Sequence, residues 1–133
     1  NYHMRCFLQH QEAGVTIRNV SQDRLGFQIA GPNARDVLAA VTGADVSNAT
    51  LPFLQVVRLA VGHIPVTVAR VSYTGDLGYE IYCHRNHQVA LYQALAAVGK
   101  FHGMRPFGMR AMMSPTDTCA PSSRLTSAPG GSA

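Results

Sequence analysis

Charge is scarce in this sequence. Only 14% of its 133 residues are Asp, Glu, Lys or Arg, and lysine occurs once, at Lys100. There is no Lys/Arg run, so the formal net charge of +4 is no nucleic-acid signature, although it is compatible with a small anionic ligand. Cysteine is equally sparse. Cys6, Cys83 and Cys119 are odd in number and far apart, which argues against a disulfide framework and favours a reducing compartment. No apolar run reaches the roughly 18 residues of a membrane span, and no signal-peptide pattern is present. No Gly-x-Gly-x-x-Gly follows a strand and no Gly-x-x-x-x-Gly-Lys occurs, so dinucleotide and P-loop chemistry are unsupported. A Gly-x-Ser-x-Gly nucleophile elbow is also missing.

What is present is a globular composition. Hydrophobic residues make up 47% of the chain, enough for one domain with a real core. A surface this poor in charge also suits packing against another body.

Residues 1–14 read as a ragged N-terminal segment. Val15-Thr16-Ile17-Arg18-Asn19-Val20 alternates as a strand does, Ser21 to Arg24 is turn chemistry, and Leu25 to Ala30 reads as a second strand. Residues 15–30 are therefore expected to form a hairpin. After Gly31-Pro32 the period changes: Ala34, Val37, Leu38 and Val41 recur at helical spacing, and Gly43 stops the helix. Asp45 to Pro52 is loop. Leu54 to Ala60 and Ile64 to Tyr73 read as strands around a Gly62-His63 turn. Asn86 is placed to cap a second helix whose buried face is Val89, Tyr92, Leu95 and Ala96, with Gly99 ending it. Arg105 to Met113 looks like the start of a third helix. Ser114 to Ala133 is rich in proline, serine and threonine, a composition expected to be disordered.

The expected architecture is α+β, a ferredoxin-like split βαβ sandwich: an antiparallel sheet with helices on one face and an extra leading strand. It is incomplete, because no strand follows the last helix. The domain would span residues 15–113, with 114–133 as a tail.

The stretch with most chemical content is Arg70-Val71-Ser72-Tyr73-Thr74-Gly75-Asp76-Leu77-Gly78-Tyr79-Glu80-Ile81-Tyr82. It reads as a strand, a tight turn with two glycines able to take φ > 0, and a returning strand. Pairing Tyr73 with Gly78 would set Val71 opposite Glu80 and bring Tyr73, Glu80 and Tyr82 to one face. Glu80 is a carboxylate on an otherwise apolar strand. One reading makes it a receptor for a flat heterocycle with two adjacent N–H donors, such as guanine or a pterin, which a carboxylate accepts in bidentate fashion while a tyrosine ring packs on the ligand. The other makes it a solvent-facing residue of an edge strand. Arg110 has two readings as well: a guanidinium for an anionic ligand group or for Glu80, or a surface arginine that snorkels. Cys83, His84 and His87 lie close together, but they lack a second cluster to complete a zinc site and read as a polar loop.

Four segments carry a resemblance: Ile29-Ala30-Gly31-Pro32-Asn33-Ala34-Arg35, Ser47-Asn48-Ala49-Thr50-Leu51-Pro52-Phe53, Arg70 to Glu80, and Arg105-Pro106-Phe107-Gly108-Met109-Arg110-Ala111. Together the chain resembles the folate-binding aminomethyltransferase family, which includes the glycine cleavage T-protein and the folate-binding C-terminal region of dimethylglycine and sarcosine dehydrogenases. The second and fourth segments look closer to the dehydrogenase branch. The resemblance implies tetrahydrofolate as cofactor, with Glu80 holding the pterin, Tyr73 lining the pocket and Arg110 as a further pocket candidate; Tyr82 joins the candidates through the strand face it shares with Glu80. It implies a role in aminomethyl or methylene transfer from glycine, sarcosine or dimethylglycine. The compartment would be the cytoplasm, or the mitochondrial matrix in a eukaryote. A folate-dependent iron–sulfur maintenance family shares the fold, but its Lys-Gly-Cys-Tyr motif is absent.

Some features depart from the family. Asp23 and Asp36 do not stand in the context of the family's catalytic aspartate, no FAD-binding segment is present, and Ser114-Pro115-Thr116-Asp117 leaves the family path. The chain is therefore expected to be an internal fragment, inactive as a transferase alone. Its partners would be folate and the remaining domains of a larger enzyme, or a second copy paired through an open sheet edge, with no nucleic acid and no membrane.

Overall fold

The computed structural model describes residues 2–12, 14–73 and 75–108. The elements run α1 (Tyr2–Gln9), β1 (Arg24–Ala30), α2 (Ala34–Thr42), β2 (Val56–Val61), β3 (Ile64–Ala69), β4 (Gly78–His84), a 3-10 turn (Arg85–His87) and α3 (Gln88–Phe101). The four strands form one antiparallel sheet in the order β1-β4-β3-β2. Strands β2, β3 and β4 are a meander, and β1 adds to the far side of β4. The class is α+β, as the sequence indicates.

Alternation decides which face is buried. Phe27 and Ile29 on β1, Val57, Leu59 and Val61 on β2, Ile64, Val66 and Val68 on β3, and Tyr79, Ile81 and Cys83 on β4 point to one side. Helices α2 and α3 cover that side with Ala34, Val37, Leu38, Leu91 and Leu95. The opposite side of the sheet carries no helix among these elements. Helix α2 ends as expected at Gly43, whose φ of 66° admits a left-handed cap and whose N–H donates to Ala39 O at 2.8 Å.

Several sequence expectations are corrected. Residues 15–20 form no strand and lie on the surface, so the hairpin over 15–30 does not exist. Their alternation is real, but a strand needs a partner, and β1 takes β4 instead. Strand β3 stops at Ala69, so Ile64 to Tyr73 is not one continuous strand. Asn86 does not cap α3. It lies in the 3-10 turn, where its N–H donates to His84 Nδ1 at 3.3 Å. The buried face of α3 is Leu91, Leu95 and Gly99, whereas Val89 and Tyr92 are 67% and 48% exposed. Gly99 does not end the helix but makes room for Met104, whose Sδ would lie 2.7 Å from a Cβ there. Residues 105–108 are irregular. The rest of the expected third helix and the Ser114–Ala133 tail fall outside the described residues.

The family segments meet through two arginines. Arg35 Nε donates to the hydroxyl of fully buried Tyr79 at 3.2 Å, and its Nη2 donates to Asn48 Oδ1 at 2.6 Å. Arg70 Nη1 donates to Leu51 O at 2.8 Å, which holds the loop that sends Val46 and Leu51 into the core. Within that loop Asp45 accepts from Thr50 Oγ1 at 2.6 Å and from the Ser47 N–H at 2.9 Å. These bonds, the Thr50 one foremost, hold its carboxyl below the ordinary carboxylate range. Asn33 Nδ2 reaches His102 O at 3.2 Å and ties α2's start to the segment after α3.

Candidate functional site

The uncovered sheet face is organised in cross-strand rows. One row is Gln28, Glu80, Ala69 and Val56, and the next is Gly26, Tyr82, Thr67 and Arg58. Glu80 is the sole acidic residue in the four strands. It stands on an inner strand, not an edge. The observed register sets Ala69 opposite Glu80. The expected partner was Val71, two residues away. Glu80 and Tyr82, two apart on β4, share a face as expected, and a shift of two leaves the alternation of β3 against them intact.

The Tyr82 hydroxyl donates to the Glu80 carboxylate. That bond, then partial burial, then the nearby negative charge raise the Tyr82 phenol above its ordinary value. Beside the pair lies a shallow depression of about 180 Å³ lined by Gly26, Phe27, Gln28, Glu80 and Tyr82. Tyr73 does not join them on the sheet. It lies beyond the end of β3, in the connection between β3 and β4, and is 57% exposed. In the same connection the Ser72 hydroxyl is enclosed without a hydrogen-bond partner among the described residues. Arg110 lies outside those residues. Cys83 and His84 point to opposite sides of β4: the thiol is buried in the core, and burial pushes its pKa up. Among the described residues no three His, Cys, Asp or Glu side chains are grouped to hold a metal ion.

A larger cleft of about 680 Å³ borders the depression along Gly26, Phe27 and Gln28 and runs between β1, the start of α2, α3 and residues 102–108. Its lining is mainly apolar and it does not include Glu80.

Sequence reasoning missed Gly26 and Gln28 as site residues and gave Arg35 and Arg70 no role. The alternation of Leu25 to Ala30 sets Gly26 and Gln28 on the polar face, so half of that signal was local. That they lie opposite Tyr82 and Glu80 depends on β1 pairing with β4, which is not local.

An antiparallel four-stranded sheet with two helices on one face and an acid–tyrosine pair beside a shallow depression on the other defines an α+β domain. Residues 1–116 match the family described as the GCVT N-terminal domain, and the chain belongs to that family. It is 44% identical over 98 residues to human mitochondrial dimethylglycine dehydrogenase, a match covering 74% of this chain and 11% of that protein. It is 39% identical over 112 residues to mouse mitochondrial sarcosine dehydrogenase, covering 83% and 12%. Identity to the aminomethyltransferase of Bacillus velezensis is 35% over 103 residues, covering 77% and 28%. The chain thus spans between about a ninth and a quarter of these relatives. The heterotetrameric sarcosine oxidase of Corynebacterium sp. U-96, in complex with pyrrole 2-carboxylate, has a similar fold. Its TM-score is 0.57 at 18% identity, over 67% of this chain and 44% of that one. No helix among the described residues is long and apolar enough to cross a membrane.

Proposed function

We propose that this chain carries the pterin-recognising part of a tetrahydrofolate site in a one-carbon transfer enzyme, one that handles an aminomethyl or methylene unit from glycine, sarcosine or dimethylglycine. The observation that carries the reading is Glu80 on an uncovered inner strand, hydrogen-bonded by Tyr82. An acid at that place is costly unless it is solvated or has a ligand. The acceptor oxygens of Glu80 suit a pterin. Glu80 accepts its amino and ring N–H groups as a pair, and a carboxylate oxygen that already accepts from Tyr82 keeps a second lone pair. Tyr73, in the connection leading to β4, lines the pocket, and Arg110 contributes a polar group. Both roles rest on the family resemblance of their segments.

Bound tetrahydrofolate supplies the amine nitrogens that accept the one-carbon unit. The chain's own residues bind and orient, a contribution of the positioning kind. The mitochondrial names of the mammalian relatives support the mitochondrial matrix as the compartment in a eukaryote.

Calorimetric titration of 5-formyltetrahydrofolate into the wild type and Glu80→Gln tests the site. A charge-assisted contact of roughly 1.5–3 kcal/mol is weakened, so affinity falls about tenfold or more in the variant. Equal affinity in both proteins, each folded by circular dichroism, removes Glu80 from the site.

A second reading is a structural domain that self-associates. Strand β1 is an edge, and an edge bordered by an apolar cleft is prone to pair. Light scattering after size exclusion then gives a mass above one chain at high concentration; a strict monomer counts against it.

A further inference from the structure

We propose that Gly26 is a positioning residue: the space left by its missing side chain is the seat of the Tyr82 ring, and the seat holds the Tyr82 hydroxyl on Glu80. Its consequence for folate rests on the reading of Glu80 given above.

Glycine inside a strand weakens it, and in such a position commonly marks a close approach. Gly26 has no backbone reason to be glycine, since it is not among the residues with positive φ. What it does have is a ring against it. Tyr82 is its direct partner across β1 and β4. A Cβ on Gly26 would stand 2.9 Å from Tyr82 Cε1 and 3.0 Å from Cδ1. The first is shorter than real Cβ contacts and the second is tighter than nearly all of them, so something must shift, and the ring, which is 38% exposed, is what can move. If it swings outward, its hydroxyl leaves Glu80.

An aromatic ring over a cross-strand glycine can also be a purely structural device that covers bare backbone. The two roles separate experimentally, because a structural role moves stability alone while a positioning role moves the titration of the Tyr82 phenol. The charged and titratable groups on that face are Glu80 and His84 on β4, Arg24 on β1, and Arg58 two strands away in the Tyr82 row. The seat does not act directly on any of them except Glu80.

The experiment is NMR on the whole chain with ¹³Cζ-labelled tyrosine, Tyr82 being assigned through Tyr82→Phe. In the wild type the Gly26 Hα protons show Overhauser contacts to the Tyr82 ring and an upfield ring-current shift, and the Tyr82 phenol titrates above its ordinary value of about 10. In Gly26→Ala, with far-UV dichroism retained, the Tyr82 titration returns toward that ordinary value, as it does in Glu80→Gln. Absence of the Gly26–Tyr82 contacts in the wild type overturns the proposal without any variant, even should Gly26→Ala not fold. So does a Tyr82 titration that Gly26→Ala leaves unchanged. Titration of 5-formyltetrahydrofolate then separates the two readings. Affinity lost in Gly26→Ala about as far as in Glu80→Gln supports the seat as part of the ligand site. A wild type that binds no folate, but whose Tyr82 titration depends on Gly26, keeps the seat and removes the folate reading. Folate affinity unchanged in Gly26→Ala, where Glu80→Gln loses it, overturns the role of the seat in binding.

Discussion

Tyr79→Ala removes cooperative folding or brings the chain close to that point. Tyr79 is fully buried at the centre of the core, on the inner strand β4, and is the largest of the fully buried side chains. Deleting a ring of that size leaves a cavity and costs about 3–5 kcal/mol, against a typical total of about 5–15 for a folded domain. Its hydroxyl is the acceptor for Arg35 Nε at 3.2 Å, and Arg35 also holds Asn48. The variant therefore loses the anchor that joins α2, the 45–52 loop and β4. Tyr79→Phe isolates the second contribution: the ring stays, the acceptor goes, and the loss is about 1 kcal/mol. Urea unfolding followed by far-UV dichroism, suited to a chain with no tryptophan, measures both. If Tyr79→Ala unfolds at nearly the wild-type midpoint, the core is not built around this residue.

Gly78→Ala is the second large effect. From the sequence, Gly78 stands with Gly75 as a turn glycine, yet only Gly75 has a positive φ, at 87°. Gly78 is the first residue of β4 and is buried. A Cβ there would stand 2.8 Å from the Val71 carbonyl oxygen, with Ile29 O at 3.6 Å and Ser72 Cα at 3.7 Å. All three are backbone atoms, so no side chain can turn aside. The connection between β3 and β4 must move, and overpacking of this kind costs about 1–3 kcal/mol. Because Gly78 is two residues before Glu80, the same displacement also weakens folate binding if Glu80 holds the pterin. The expected readout is a lower urea midpoint and a shifted Glu80 amide resonance. A variant with wild-type stability and an unmoved Glu80 amide would mean that the 70–77 connection yields freely.

Three of the four segments that carry the resemblance are joined by tertiary contacts. Arg35 of the first segment, Asn48 and Leu51 of the second, and Arg70 and Tyr79 of the third contact one another. Much of what makes those segments recognisable is therefore the clamp that shapes the sheet and its loop. The ligand chemistry rests on Glu80 and its neighbours.

By itself, the sequence determined the α+β class, α2 with its Gly43 cap, the β2–β3 hairpin around Gly62, and the face shared by Glu80 and Tyr82. These depend on local period, on turn chemistry and on the parity of a strand, which even a two-residue shift in register leaves intact. Only the tertiary structure decided the rest. Residues 15–20 alternate as a strand would but have no partner, because β1 pairs with β4. Tyr73 leaves the sheet because the ladder between β3 and β4 closes at Ala69 and Glu80. The buried stripe of α3 is Leu91, Leu95 and Gly99, since Met104 folds back onto Gly99. Gly26 meets Tyr82 across 55 intervening positions of the chain. Period and parity are local properties of a sequence. Which strand lies beside which, and which glycine receives a ring, are set by contacts between distant segments, and no local pattern encodes them.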